Sequence, residues 1–172
     1  MMKIQVGGLS EGLHAYRFTV APADLGLGAE FEEDVSVQAT LEKTGNELLL
    51  KTTVATGAWW ECDRCITRFR QGIGGGYQMY YVWEGNDTAR FDPAELQVVS
   101  TGLTMIDLSE DVRQTILLAV PLKRVCREQC KGLCPHCGKN LNEGPCDCRD
   151  TIADGRWDKL RELQNDTNDD AR

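Results

Sequence analysis

The chain has 172 residues, 41% of them hydrophobic, and its 27 acidic and 19 basic side chains give a net charge of −8. That length holds one medium domain, or a domain with a small appendage, and the apolar fraction is enough for a real core. The longest apolar run, Ile116 to Val120, is far short of a membrane span, and the opening MMKIQVGGLS lacks the apolar segment of a signal peptide. A cytoplasmic protein with no membrane partner is expected.

The first hundred residues read mainly as strand. Leu13 to Val20 is rich in aromatic and β-branched side chains. Phe31 to Asp34 is acidic and reads as a loop leading into a strand. Val35, Val37, Ala39 and Leu41 alternate with polar neighbours, Thr44-Gly45-Asn46 supplies a turn, and Leu48, Leu50, Thr52 and Val54 continue the period of two. Residues 34–56 are therefore predicted to form a hairpin.

Trp59-Trp60-Glu61 leads into a first C-x2-C, Cys62 and Cys65, placed where a strand turns. Phe69 to Trp83 reads as strand again. Its Gly74-Gly75-Gly76 is followed by no Lys-Ser/Thr and no helix start, so a bulge or bend is expected there and not a phosphate loop. Tyr77, Tyr80, Tyr81 and Trp83 could stack bases on an RNA-binding sheet. Ordinary packing on the two faces of the strand is the simpler expectation.

Glu84 to Pro93 is a polar loop and Leu96 to Ser100 a short strand. The helix pattern spans 107–120. Asp107 or Ser109 can cap it, Glu110 and Asp111 complement its positive end, and Leu108, Val112, Ile116, Ala119 and Val120 trace an apolar face. Pro121 ends it. Asp154-Gly155-Arg156-Trp157 opens a predicted short helix with Trp157, Leu160 and Leu163 on one face, and residues 165–172 form a polar, acidic tail expected to be disordered.

Between these helices lie Cys126, Cys130, Cys134, Cys137, Cys146 and Cys148, in a segment broken by Gly132, Pro135, Gly138, Gly144 and Pro145. Such a segment is too small to bury a core of its own. In a reducing compartment these spacings favour metal thiolate over disulfide. Zinc takes four soft ligands in a tetrahedron, and a C-x2-C wraps it from one turn. Cys134-Pro135-His136-Cys137-Gly138 fits such a knuckle, with His136 as a spacer, and Cys146 and Cys148 can complete the site. Cys62, Cys65, Cys126 and Cys130 would make the second. Swapped pairings, and a single zinc on four of the eight thiols, remain open on spacing alone. Four cysteine ligands leave no position for water, so no catalytic role is expected. A thiol–disulfide role for Cys62 and Cys65, with Arg64 lowering a thiol pKa, is the redox alternative.

Charge is unevenly spread. Residues 121–150 carry six bases, Lys123, Arg124, Arg127, Lys131, Lys139 and Arg149, against four acids, whereas the rest of the chain is acidic. These cations either neutralise nearby zinc thiolates or contact nucleic acid.

Taken together, Glu61-Cys62-Asp63-Arg64-Cys65, the helix running into Pro121-Leu122-Lys123, the stretch from Cys126 to Asn142 with its Cys134-Pro135-His136-Cys137-Gly138 core, Cys146-Asp147-Cys148 and the later Arg156-Trp157-Leu160 resemble the YceD family of large ribosomal RNA subunit accumulation proteins. The first fifty-five residues fit only by their strand pattern. The resemblance implies a non-enzymatic factor in large-subunit biogenesis, metal-binding or nucleic-acid-binding in character, with no small-molecule substrate.

The expected architecture is α+β: a mostly antiparallel sheet with one long packing helix over residues 1–121, and a cysteine-rich zinc-binding module with its short helix over 122–164. Partners are ribosomal RNA, a ribosomal protein or an assembly factor. Phosphate contacts are expected from Arg64, Arg68, Arg70, Lys123, Arg124, Arg127, Lys131 and Lys139. An adaptor that never touches RNA, its acidic body holding a basic protein, is the second expectation.

Overall fold

The hairpin expected at 34–56 lies at the centre of a five-stranded sheet in the computed structural model, which describes residues 2–148. The strands are β1 (Lys3–Gln5), β2 (Gly12–Val20), β3 (Val35–Thr44), β4 (Glu47–Glu61), β5 (Arg68–Trp83), β6 (Leu96–Val99) and β7 (Met105–Asp107), and the α-helix is α1 (Ser109–Ala119). The large sheet has the order β2-β3-β4-β5-β6, antiparallel except for the parallel β5–β6 pair. Strands β1 and β7 form a separate antiparallel pair.

Alternation decides the faces. Val35, Val37, Ala39 and Leu41 of β3, and Leu48, Leu50 and Val54 of β4, are buried on one side. Leu108, Val112 and Ile116 of the helix segment are fully buried against them, each contributing roughly 1.5–3 kcal/mol relative to exposure. Met2, Ile4 and Val6 join the same core, and the N–H of Leu108 donates to the carbonyl of Met2 at 2.8 Å. The three-residue strand that carries Ile4 is too short for a period to show in sequence.

The helix is shorter than the 107–120 expected, because Asp107 ends β7 opposite Lys3. Asp107 still serves the helix start: its Oδ1 accepts the N–H of Ser109 at 2.9 Å, and the Ser109 hydroxyl, then that N–H, then Lys3 hold its carboxyl below the ordinary value. Pro121 follows the last turn, and the N–H of Val120 still closes onto the carbonyl of Leu117.

Of the bulge or bend expected at Gly74-Gly75-Gly76, the bulge does not form. β4 and β5 stay in one register from Glu47↔Val82 to Glu61↔Arg68. The glycines are there for room: a Cβ on Gly75 would lie 3.1 Å from Thr115 of the helix, and one on Gly76 only 2.8 Å from the carbonyl oxygen of Thr52. Tyr81 is buried, Tyr77 and Trp83 pack on the core, and Tyr80 stacks at 4.8 Å on Phe91. The short helix at 154–163 and the tail at 165–172 lie outside the described residues.

Candidate metal centres

β4 and β5 form a long ribbon that projects beyond the neighbouring β3, which pairs with β4 only as far as Ser36↔Ala55. The six residues at its tip, 62–67, make a tight turn. The N–H of Cys62 donates to the carbonyl of Thr67 at 3.0 Å, and the N–H of Ile66 to the carbonyl of Cys62 at 2.9 Å. The second C-x2-C repeats this pattern: the N–H of Cys134 donates to Lys139 at 2.8 Å and the N–H of Gly138 to Cys134 at 2.9 Å. The residue after each second cysteine is left-handed, Ile66 at φ 60° and Gly138 at φ 73°. Two unrelated stretches thus adopt one knuckle, and glycine occupies the demanding position in only one of them.

The chain from Val120 onward folds back on the first knuckle. The N–H of Asp63 donates to the carbonyl of Arg124 at 2.8 Å, and the N–H of Arg124 to Asp63 Oδ2 at 2.6 Å. Arg64 Nη1 donates to the carbonyls of Cys130 at 2.9 Å and Glu128 at 3.3 Å, while its own carbonyl accepts the N–H of Leu133 at 3.1 Å. These bonds deliver Cys126 and Cys130 to Cys62 and Cys65.

The result is two clusters of four sulfurs, Cys62, Cys65, Cys126 and Cys130 in one, Cys134, Cys137, Cys146 and Cys148 in the other, with the sulfurs of each within 4.8 Å of one another. Cys62 Sγ lies 3.8 Å from Cys130 Sγ, and Cys65 Sγ lies 3.7 Å from Cys126 Sγ. A tetrahedron with metal–sulfur bonds of about 2.3 Å has edges of about 3.8 Å, whereas a disulfide needs about 2.05 Å. All eight cysteines are free of disulfides. Both tetrads could hold a metal ion.

The electrostatics of the thiols fit the same reading. Burial pushes the Cys62 thiol up, but main-chain N–H groups of Cys126, Arg64 and Cys65 outweigh it and bring the pKa down to about 6. The N–H groups of Cys137 and His136 likewise bring Cys134 down to about 6. Their neighbours go the other way: burial and adjacent sulfurs push Cys126 up to about 12, and the Cys137 thiol with burial does the same to Cys148. Four thiolates at this spacing cannot all ionise unless a cation sits among them.

The cations expected to meet phosphate gather around this tip, though not all point outward free. Arg64 is held by the two carbonyls just described. Arg68 pairs with Glu32 and lies 5.0 Å from the Trp59 ring centre, and Arg70 pairs with Glu33. Arg124 lies 5.1 Å from the ring centre of Trp60. Arg127 Nη2 donates to Asn142 Oδ1 at 2.8 Å and Lys139 Nζ to the carbonyl of Pro145 at 2.7 Å. Lys123 and Lys131 are exposed, and among the described residues neither ammonium has a partner.

Residues that cysteine spacing does not single out complete the first tetrad. Cys65 Sγ lies 3.3 Å from Thr67 Oγ1, and Asn142 Nδ2 donates to Cys130 Sγ at 3.4 Å. In sequence Asn142 is one of two asparagines in a polar turn, with no periodicity or ligand spacing to mark it.

Comparison with known proteins places these residues within a family. The family described as large ribosomal RNA subunit accumulation protein YceD matches residues 50–164, a span that contains all eight cysteines. An uncharacterized protein of Mycobacterium tuberculosis is 30% identical over 160 residues, covering 88% of this chain and 74% of that protein. The chloroplastic YCED homolog 1 of Arabidopsis thaliana, named as a large ribosomal RNA subunit accumulation protein, is 42% identical over 43 residues, 25% of this chain and 13% of the plant protein. Its Zea mays counterpart is 47% identical over 45 residues, 26% of this chain and 15% of that protein. No solved structure matches the chain. A match over two-thirds of the chain, centred on the knuckles and the helix that leads into them, establishes that this protein belongs to the YceD family.

Proposed function

We propose that the protein is a non-enzymatic, cytoplasmic factor in large-subunit biogenesis, in which two structural zinc ions fix a cation-bearing platform to the tip of the β4–β5 ribbon and the platform contacts ribosomal RNA. The family description and the plant relatives' names support the ribosomal assignment. The observation that carries the mechanism is the pair of four-sulfur clusters, one of which joins residues 62–65 to residues 126–130. Zinc bound by four thiolates supplies a crosslink and no open coordination position, which suits a scaffold and not a catalyst. Each site can supply on the order of 10 kcal/mol toward folding its own segment.

Residues 61–70 and 121–148 hold eight cations and five acids, an excess of three. Two zinc ions, each held by four thiolates, add a formal charge of about −4. The filled tip is therefore near neutral, and RNA contact runs through individual outward side chains, Lys123 and Lys131 foremost. Two or three such contacts give a shallow salt dependence, with a log–log slope of about −2. Replacing Lys123 and Lys131 by Glu is expected to weaken crosslinking to large-subunit RNA several-fold while zinc content stays at two per chain. Unchanged crosslinking would place the contact elsewhere.

A protein-adaptor reading is favoured by one feature. Past the Phe31↔Ala58 bridge and the Trp59 N–H···O=C Glu30 bond of 2.8 Å, the last residues of β4, Trp60 and Glu61, have no strand partner on their outer edge among the described residues. A cleft of about 590 Å³ opens there, lined by Trp59 and Trp60 with three acids, Glu30, Glu61 and Asp63, against one cation, Arg124. An extended basic segment would suit that edge. Ribonuclease treatment of the purified complex separates the two readings: an RNA-mediated complex dissociates and a protein-mediated one persists. The redox alternative is less supported, because Cys62 and Cys65 turn between two strands instead of opening a helix. Disulfide reductase turnover abolished by Cys62→Ser would restore it.

A further inference from the structure

Asn142 belongs to the turn built on one tetrad and touches a sulfur of the other. Its Oδ1 accepts the N–H of Lys131 at 2.9 Å and Arg127 Nη2 at 2.8 Å. Both partners can only donate, so they fix which way the amide faces. Nδ2 is thereby directed to two acceptors, Asn140 Oδ1 at 2.8 Å and Cys130 Sγ at 3.4 Å.

The turn itself rests on the second knuckle. Leu133 and Asn140 form an antiparallel bridge, the N–H of Leu141 donates to Gly132 at 2.9 Å, and the N–H of Cys134 donates to Lys139 at 2.8 Å. The N–H of Asn142 donates to Asn140 Oδ1 at 3.0 Å. The return segment 139–142 is thus pinned to 132–134, whose cysteine and its partner Cys137 contribute half of the second tetrad. Cys137 and Cys148 are exposed, so apolar burial does little to hold this segment closed.

We infer that Asn142 is a positioning residue through which the two metal sites are coupled: closure of the Cys134/Cys137/Cys146/Cys148 site sets the turn that places the Asn142 amide on Cys130, and so tightens the Cys62/Cys65/Cys126/Cys130 site. The inference rests on the metal reading above. An N–H donor to a metal-bound thiolate spreads the charge that four sulfurs concentrate on one ion. Outer partners of this kind are worth 10–100-fold in metal affinity. Linkage makes the coupling mutual, so filling the first site strengthens the second by the same factor.

The test is a cobalt(II) titration of the full chain against a chelator of known affinity, read by sulfur-to-cobalt charge-transfer absorption. Cys137→Ser with Cys148→Ser leaves only the first site, and its affinity is expected to fall 10–100-fold from that in the unaltered chain. Asn142→Ala alone should reproduce most of that fall, and adding it to the double-serine protein should change little further. Asn142→Asp keeps the acceptor for Lys131 and Arg127 but loses the donor, and should resemble Asn142→Ala. In the Cys62→Ser, Cys65→Ser protein, Asn142→Ala should leave second-site affinity within about twofold, a readout that a merely structural turn residue would fail. First-site affinity unchanged by Asn142→Ala, or wild-type behaviour of Asn142→Asp, would overturn the coupling while leaving the metal centres standing. No charge-transfer band in the unaltered chain would overturn both.

Discussion

The two ends of the β4–β5 ribbon are held together by different physics. At one end β3, β4, β5 and α1 bury Val35, Val37, Leu41, Leu48, Leu50, Val112 and Ile116 in a continuous apolar core. At the other, Cys62, Cys65 and Cys130 form a small cluster with, among the described residues, Phe69, Val125, Cys126 and Leu133 packed against it. Apolar burial decides the fold at the first end. At the second there is little of it among the described residues to offset the conformational entropy of a loop rich in glycine and proline, and metal held by the sulfur clusters, as proposed above, would supply the difference.

Metal removal should separate the ends most sharply. Chelation is expected to abolish amide protection across 122–148, and Cys62→Ser with Cys65→Ser to abolish it across 122–131 alone, both leaving β3 and the centre of β4 protected, as read by hydrogen exchange. Equal loss at both ends would mean that the module is part of one cooperative unit with the core. The converse perturbation is Ile116→Ala, which empties a fully buried site beneath α1 and should cost about 2–5 kcal/mol of global stability. Below the lowered melting temperature, its zinc content should be unaltered.

Gly76→Ala should cost about 1–3 kcal/mol, because a Cβ there meets the Thr52 carbonyl oxygen at 2.8 Å and a strand backbone cannot step aside cheaply. A neutral result in thermal melting would show that β4 and β5 can part locally without disturbing the core. The smallest effect is at the knuckles. Ile66 holds φ 60° while 63% exposed, so Ile66→Gly relieves about 1–2 kcal/mol of left-handed strain and loses little burial. Greater freedom of the unfolded chain offsets about 0.5–1 kcal/mol of that gain. A small rise in first-site metal affinity is expected, against a fall for Gly138→Ile; opposite signs would show that the two knuckles are not equivalent.

Much of the fold was legible because it rests on periodicity. Val35 to Leu41 and Leu48 to Val54 alternate cleanly, and Leu108, Val112 and Ile116 share one helical face, so the hairpin and the covering helix followed. The three glycines, expected to mark a bulge or bend, sit in an unbroken ladder and give clearance beneath Thr115 and beside the Thr52 carbonyl. Strands β1 and β7 left no pattern in sequence, being three residues each and defined only by pairing with one another. Among the cations, Arg64 reads as a phosphate contact from its neighbours in sequence, yet its guanidinium is engaged by the carbonyls of Cys130 and Glu128.

The kind of ligand was present in the chain itself, because eight thiols in short spacings suit tetrahedral metal whatever the fold around them, while spacing left open whether four or all eight take part. The sharing of sulfurs was not. Spacing is local, and Cys62 stands sixty-four residues from Cys126; their meeting depends on the length of the β4–β5 ribbon and on the bonds that fold residues 124–133 back onto its tip. The same holds for Asn142, whose place on Cys130 arises from a turn closed by the other tetrad and from donors that orient its amide, interactions that exist only once the chain has returned on itself.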